Sequence, residues 1–150
     1  MSEIQSVVVV GSGTMGHGIA QVCAHAGLRV TMTDVSEAVV AKGKAQIEKS
    51  LAKLREKGRI SAEDEQRTVA AISLSTDPVA ASASADLIVE AVPERMDLKL
   101  DLVKKVSEAA PAHAIVATNT SSLSVTEIAG VAKDGTRVVG MHFFNPVPVM

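Results

Sequence analysis

The residues with the clearest chemical purpose form a glycine-rich turn, Gly-x-Gly-x-x-Gly at 11–16, directly after the apolar run 7–10. A fully apolar run predicts a strand that is buried on both faces, and the apolar spacing after the turn predicts a helix. In this setting Gly11 permits a tight turn, Gly13 lets the backbone approach a pyrophosphate, and Gly16 lets the helix pack against the strand. The free N–H groups at the helix start would face the phosphates. We therefore predict a dinucleotide site that includes Gly11, Ser12, Gly13, Thr14, Met15 and Gly16.

One carboxylate predicts which dinucleotide binds. Residues 28–33 are typical of a second strand, and Asp34 follows at its C-terminal end, 18 positions after Gly16. A carboxylate there accepts hydrogen bonds from the adenosine ribose hydroxyls and repels a 2′-phosphate, which favours NAD over NADP. The alternative for Asp34 is an N-cap of the next helix, a role that Ser36 can also fill.

Polar side chains also follow the last two predicted strands. His142 lies at the C-terminal end of the sixth predicted strand, and Ser121 follows the fifth. Open α/β sheets bind ligands at this edge, so we expect both residues in one crevice with the dinucleotide. The Ser121 hydroxyl can donate to an oxygen on which charge develops. Ser121 could instead cap the helix expected near residue 124, although Ser122 or Ser124 could serve there.

Short apolar segments that alternate with helical periodicity predict the elements that position these residues. Strands are expected near 4–10, 28–33, 72–75, 86–91, 114–118 and 137–142. Helices are expected near 15–26, 36–57, 62–71, 95–109 and 124–130, and the small-residue segment 80–85 is expected to be a connection. This order predicts a Rossmann-type, doubly wound α/β fold, with helices on both faces of a mostly parallel sheet.

Composition narrows the class of protein. The 150 residues fit one domain, 47% of them are hydrophobic, and no apolar run approaches the ~18 residues of a membrane span. A net charge of −2 without Trp or Tyr gives no sign of nucleic-acid binding. The single cysteine, Cys23, excludes an internal disulfide, fits a reducing cytoplasm and is expected to be a small buried hydrophobe. No spacing of His, Cys and carboxylates is typical of a metal site, so no metal is predicted.

Four segments together resemble one known family. They are Gly-Ser-Gly-Thr-Met-Gly at 11–16, Val-Glu-Ala-Val-Pro-Glu at 89–94, Asn-Thr-Ser-Ser-Leu at 119–123 and Gly-Met-His-Phe-Phe-Asn-Pro at 140–146. In this order they resemble the NAD-binding domain of 3-hydroxyacyl-CoA dehydrogenases, including bacterial 3-hydroxybutyryl-CoA dehydrogenases, over essentially the whole chain. The resemblance implies oxidation of the 3-hydroxyl of an (S)-3-hydroxyacyl-CoA by NAD, or the reverse reduction of a 3-oxoacyl-CoA.

The same resemblance implies roles for individual side chains. His142 is the general base, Ser121 donates to the substrate oxygen, and Asn145 contacts both cofactor and substrate, although the proline after it would also suit a turn asparagine. Ser121 likewise contacts both ligands. Glu94 and Lys99 are cofactor contacts beside the ribose and nicotinamide half. Without the resemblance, both would be solvated residues at a helix start.

A basic helix supplies the contacts to coenzyme A that the resemblance implies. Residues 42–59 hold seven bases against two acids. Ser50 and Lys57 are two helical turns apart, so they share one face at a separation of roughly 10 Å, and both match family positions that contact coenzyme A. The alternative is a solvated basic face.

The resemblance also implies parts that these 150 residues lack. They are a Glu roughly a dozen residues after His142 and a helical domain that closes over the substrate and forms a homodimer. We therefore expect a truncated chain that binds NAD with little activity of its own. One alternative is a dehydrogenase of a free hydroxy acid, against which the basic helix argues. Another is a non-catalytic or structural relative, since a lens crystallin resembles the family too; the intact set of His142, Ser121 and Asn145 argues against it.

Overall fold

Six parallel strands form the centre of the structure, a computed structural model that describes residues 3–150. The strands are β1 (Ser6–Val10), β2 (Arg29–Thr33), β3 (Ile72–Ser75), β4 (Leu87–Glu90), β5 (Ile115–Thr118) and β6 (Val138–Gly140). Their spatial order is β3-β2-β1-β4-β5-β6, and every neighbouring pair is parallel. This is the strand order of the Rossmann fold, so the predicted fold class is confirmed.

Within residues 3–150, the strands are connected by six α-helices and one 3-10 turn. These are α1 (Thr14–His25), α2 (Glu37–Glu56), α3 (Ala62–Ala70), α4 (Pro78–Ser82), α5 (Met96–Ala109), α6 (Val125–Ala129) and the 3-10 turn Gly135–Arg137. None of the helices in this described part of the chain has the length and hydropathy of a membrane span.

The expectation of a plain connection over residues 80–85 is wrong at its start, where α4 runs to Ser82. The Asp77 carboxylate accepts hydrogen bonds from the backbone N–H groups of Val79 and Ala80, at 3.1 and 2.9 Å. Pro78 stands at the first helical position, where its missing N–H costs nothing. The cap and the proline thus account for the start of a short helix in this small-residue segment.

The apolar run of β1 is buried on both faces of the sheet, as predicted. Val7 and Val9 belong to a core that β1 and β2 share with α1 and α2; its helical members are Ile19, Ala20, Ala24, Val40, Ile47 and Leu51. Val8 and Val10 belong to a second core with α5 and α6, whose helical members are Val103, Val106 and Ile128. Cys23 of α1 packs against the first core, and burial raises the pKa of its thiol, which fits the predicted role as a small hydrophobe.

The strand register aligns the carboxyl ends of the sheet. Val10 pairs with Thr33 on one side and Glu90 on the other, Glu90 pairs with Thr118, and Thr118 pairs with Gly140. The chain leaves β1 and β4 towards opposite faces of the sheet, so a crevice opens between the loops that follow these two strands.

Strand β6 is shorter than predicted, because it ends at Gly140 rather than at residue 142. The ladder is continued only by the N–H of Met141, which donates to the Thr118 carbonyl at 3.0 Å. The next bond departs from the ladder, since the N–H of Phe143 donates to the side-chain Oδ1 of Asn119 at 2.9 Å. His142 therefore lies in the loop after the strand.

Candidate active site

The glycine turn is built by close contacts between backbones. Gly11 has a φ of +101°, and a Cβ at this position would lie 2.5 Å from the carbonyl oxygen of Ala91 in the loop after β4. A Cβ on Gly16 would overlap the carbonyl oxygen of Gly11. Both residues are therefore required to be glycine by packing, and Gly16 lets α1 approach the turn that follows β1.

Gly13 differs from these two glycines, because nothing lies within 4 Å of the position that its Cβ would take. The residue is exposed and lines the crevice. It is also the N-cap of α1 and makes no side-chain capping bond, so the first N–H groups of the helix stay available to an anion. This open backbone is the surface that the predicted pyrophosphate site requires.

Asp34 is fixed beside the glycine turn. Its Oδ2 accepts hydrogen bonds from the backbone N–H and the hydroxyl of Ser12, at 2.8 and 2.6 Å, and its Oδ1 accepts from the N–H of Val35 at 2.7 Å. Partial burial raises the pKa of Asp34, but these hydrogen bonds outweigh burial and hold the pKa below its usual value. The alternative role as N-cap of α2 belongs to Ser36, whose hydroxyl accepts from the N–H of Val39 at 3.3 Å.

Glu94 lies on the crevice wall, where hydrogen bonds hold both of its oxygens. Its Oε1 accepts from the Thr120 hydroxyl at 2.6 Å, and its Oε2 accepts from the backbone N–H and the hydroxyl of Ser121, at 3.2 and 3.5 Å. Partial burial raises the pKa of Glu94, but the hydrogen bonds and the nearby Lys99 ammonium outweigh it and keep the pKa below its usual value. Glu94 is therefore ionised at neutral pH and can accept hydrogen bonds from a ligand.

Lys99 lies behind Glu94 and not on the crevice surface. Its side chain is 0% exposed, and its Nζ lies 2.7 Å from Oε1 of Glu90 and 3.7 Å from Oε1 of Glu94. The residue-based alternative, a solvated lysine at a helix start, is wrong because α5 turns this position towards the sheet. Direct contact with a cofactor stays a prediction, and it would require access that the buried ammonium lacks in this conformation.

The three predicted catalytic side chains lie on loops at the carboxyl edge. The imidazole of His142 is exposed and packs against the Phe144 ring, with a centroid separation of 4.7 Å. Asn145 is exposed in the same loop, and Ser121 faces them from the loop after β5. The capping alternative for Ser121 is filled by Ser124, whose hydroxyl accepts from the N–H of Glu127 at 3.2 Å.

One crevice of about 1010 Å³ brings most of the predicted site together. A volume of this size is ample for a small-molecule cofactor. The predicted residues that line it are Gly11, Gly13, Thr14, Met15, Asp34, Glu94, Ser121, His142 and Asn145. Ser12 and Gly16 are buried behind that surface. The predicted dinucleotide and catalytic groups thus face one shared space.

The two predicted coenzyme A contacts lie outside this crevice. Ser50 is half-buried on α2, and Lys57 is exposed immediately after its last residue. The backbone N–H of Lys57 still bonds to the Lys53 carbonyl at 3.1 Å, so the spacing of two turns is kept. Contact with coenzyme A stays a prediction for both residues.

Two further residues take part in the site although no role was predicted for them. Asn119 lines the crevice and holds the backbone of the loop that carries His142. Glu90 is fully buried at the end of β4, where it binds Lys99. A signal existed for each, because Asn119 opens the segment 119–123 and Glu90 is a charged residue at the end of an apolar strand.

A parallel sheet of this order, with a glycine turn at its switch point and a carboxylate after the second strand, defines a Rossmann-type dinucleotide-binding domain. A family model described as the NAD-binding domain of 3-hydroxyacyl-CoA dehydrogenase matches residues 6–150. The chain belongs to this family, and the predicted family and cofactor are confirmed.

Individual relatives agree with this assignment. The chain is 43% identical to the mitochondrial hydroxyacyl-coenzyme A dehydrogenase of Homo sapiens, over 98% of its own length and 48% of that protein. It matches the crystal structure of (S)-3-hydroxybutyryl-CoA dehydrogenase from Ralstonia eutropha with a TM-score of 0.94 and 44% identity, covering 99% of this chain and 52% of that one. A diketoreductase of dicarbonyl compounds matches with a TM-score of 0.89 and 34% identity, over 97% of this chain and 52% of that one. The chain spans about half the length of the curated relatives that it matches.

Proposed function

We propose that this chain is the cofactor-binding part of an NAD-dependent dehydrogenase that interconverts an (S)-3-hydroxyacyl-CoA and a 3-oxoacyl-CoA. The observation that carries the proposal is the shared crevice, in which the glycine turn and Asp34 face the same space as Ser121, His142 and Asn145. Two of the relatives named above act, by their names, on hydroxyacyl-CoA or 3-hydroxybutyryl-CoA. Family membership and the crevice therefore favour the same reaction.

The side chains of the crevice have separate roles in the proposed reaction. Bound NAD supplies the hydride acceptor. His142 takes the proton of the substrate hydroxyl at an exposed ring nitrogen, and Ser121 donates a hydrogen bond to the oxygen on which charge develops. Asn145 orients the reactants from the loop of His142, and the ionised Glu94 accepts hydrogen bonds from hydroxyls of the nicotinamide half.

The rest of the active site and the dimer contact are proposed to lie outside this chain. Within residues 3–150, no hydrogen bond holds the imidazole of His142, which leaves room for the orienting Glu that the family has further along its sequence. A helical domain would supply that Glu, cover the acyl chain and form the homodimer. The 150 residues are accordingly expected to bind NAD and to turn over little. With its single cysteine, the chain suits a reducing compartment such as the cytoplasm.

A second candidate is reduction of a dicarbonyl compound that carries no coenzyme A. The 34% identity to a diketoreductase favours it, because that relative has the same fold. Ser50 and Lys57 distinguish the two candidates, since only a coenzyme A ester would reach α2.

The cofactor proposal is tested by titrating the 150-residue chain with NADH and with NADPH in a calorimeter. We expect tighter binding of NADH, because the ionised Asp34 repels the 2′-phosphate of NADPH. An Asp34→Ala variant should lose most of this difference. Tighter binding of NADPH by the wild-type chain would contradict the proposal.

The substrate proposal is tested with the chain joined to the unmatched half of the Ralstonia relative. We expect NADH-dependent reduction of acetoacetyl-CoA to be much faster than reduction of free acetoacetate. Lys57→Ala should raise KM for acetoacetyl-CoA alone, whereas Lys104→Ala on the exposed side of α5 should change neither reaction. Equal use of the two substrates, with no effect of Lys57→Ala, would favour the second candidate.

A further inference from the structure

An ion pair with no exposed surface stands behind the crevice wall. The Nζ of Lys99 donates to both oxygens of Glu90, at 2.7 and 2.9 Å, and both side chains are 0% exposed. Burying two charges costs more than their attraction returns unless further hydrogen bonds support them, and apolar residues would often serve the fold equally well. The position of the pair therefore calls for a reason other than stability.

Besides Lys99, Glu90 is held by the loop after β4 and by β5. Its Oε1 also accepts from the N–H of Val92 at 2.8 Å, and its Oε2 accepts from the hydroxyl of Thr118 at 2.6 Å. A carboxylate with these partners has one orientation. It fixes the ammonium of Lys99 in turn.

Lys99 points its charge from this anchor towards the crevice. Its Nζ lies 3.7 Å from Oε1 of Glu94, whose side chain is 40% exposed. One ammonium thus stands between a buried and a half-exposed carboxylate, so the cluster keeps a net negative charge on its crevice side. Glu94 then bonds to Thr120 and Ser121 in the loop after β5.

We propose that Glu90 and Lys99 are positioning residues, which fix the carboxylate of Glu94 and, through it, the Ser121 loop for contact with the dinucleotide. This inference rests on the proposed function, because it assumes that Glu94 accepts hydrogen bonds from cofactor hydroxyls. It replaces direct contact between Lys99 and the cofactor with an action through Glu94. The polar chain runs from inside the sheet to the crevice without a gap longer than 3.7 Å.

The test compares NADH binding to the 150-residue chain and its Glu90→Gln/Lys99→Met variant. Gln keeps one oxygen for the N–H of Val92, and its NH2 group can donate to the Thr118 hydroxyl, which turns to accept. Met fills the space of Lys99 without leaving a buried charge. We expect this variant to unfold at a similar temperature and to bind NADH about tenfold more weakly, as befits a lost bond to a charged group. Lys104→Met, on the exposed face of α5, is the control and should bind as the wild-type chain does.

The role of Glu94 is isolated by repeating the comparison in a Glu94→Gln background. If the pair acts through Glu94, the double substitution should there weaken NADH binding by no more than about twofold, because effects on one path do not add. The amide proton of Ser121, which donates to Glu94, should also shift upfield in the unliganded double variant. A general loss of stability would instead weaken binding equally in both backgrounds.

The other outcomes contradict either the positioning role or the proposed function. A double variant that binds NADH as the wild-type chain does, or that loses equal affinity in both backgrounds, overturns the positioning role. A wild-type chain that fails to bind NADH contradicts the proposed function, and the Ser121 amide shift of the unliganded variant then decides the inference alone. If the double variant does not fold, Glu90→Gln is judged by the same two readouts.

Discussion

Each edge of the sheet has a histidine beside it, and the two histidines have opposite surroundings. At the amino edge, Asp86 accepts from the Ser6 hydroxyl and lies 2.8 Å from Nε2 of His113, while the N–H groups of Gln5 and Ser6 also donate to it. At the carboxyl edge, no hydrogen bond within residues 3–150 reaches the imidazole of His142, whose ring packs on an aromatic neighbour. The histidine at the amino edge is hydrogen-bonded, and the histidine at the carboxyl edge is left open to the crevice.

This difference shows how a polar cluster that supports the fold differs from one that serves a ligand. An exposed imidazole without a protein partner is available to an external ligand, and His142 lines the crevice. The amino-edge cluster ties β1 to β4 and to the loop before β5. At the carboxyl edge the carboxylates of Asp34 and Glu94 also join neighbouring loops, whereas the imidazole of His142 bonds to no other group among residues 3–150.

The largest expected effect separates the two histidines. In the joined dehydrogenase, His142→Gln should lower kcat by about 10²–10⁴-fold because the general base is lost. His113→Gln should leave kcat unchanged and lower the unfolding temperature slightly, because it loses the bond to Asp86. Turnover and thermal unfolding of both variants are the measurements. An equal loss of kcat in the two variants would contradict the distinction between the two histidines.

A smaller effect should separate the glycines at the two ends of α1. Gly16→Ala forces a methyl group onto the Gly11 carbonyl, so the free energy of unfolding should fall by more than about 3 kcal/mol and NADH binding should be lost. Gly27→Ala meets open space but has a φ of +95°, so it should cost about 1–3 kcal/mol and leave NADH affinity intact. Denaturant unfolding and NADH titration measure both. A Gly16→Ala chain that binds NADH normally would contradict the packing of the turn.

The smallest effect concerns acid stability at the amino edge. The hydrogen bond with His113, followed by the donors of Gln5 and Ser6, holds the pKa of Asp86 well below its usual range. A lowered pKa stabilises the fold above the unfolded-state value of about 3.9, and this contribution is lost as pH falls towards the folded-state pKa. The difference in unfolding free energy between wild type and Asp86→Asn should therefore be constant near neutral pH and shrink below about pH 4.

A matching set of denaturation curves for Asp134→Asn provides the control for that experiment. Asp134 also has a lowered pKa, from bonds to Thr136, but it ties no strands together. Its variant should show the same direction of pH dependence with a smaller overall difference. If the difference in unfolding free energy between wild type and Asp86→Asn stayed unchanged in strong acid, the hydrogen bonds to Asp86 could not be the source of that difference.

Local signals carried most of the prediction of the fold. Apolar runs and helical periodicity located each strand of the sheet and every longer helix, because both patterns depend on neighbours along the chain. They failed at α4, where Asp77 caps a helix that begins among small residues. They also failed at β6, where the side chain of Asn119 takes the next backbone hydrogen bond and the strand ends early. Both failures come from side-chain bonds that periodicity does not register.

The site was predictable only in part, for a similar reason. The spacing of Gly11, Gly13 and Gly16 and the place of Asp34 after a strand already indicated a dinucleotide, since these features are local. Lys99 was misjudged without the family resemblance, because a lysine on a mixed helix face is normally solvated. Its burial depends on Glu90, a residue on another element of the fold.

The sequence by itself determined the six strands and the longer helices, the place of the glycine turn, and which residues have groups fit for hydride and proton chemistry. Only the tertiary structure decided which of these groups stay free for a ligand and which are hydrogen-bonded within the protein. The strand register brings Val10, Glu90 and Thr118 level, and so places the loops after β1, β4 and β5 around one crevice. Hydrogen bonding depends on three-dimensional neighbours, which is why the contact between His113 and Asp86 could not be predicted from the sequence.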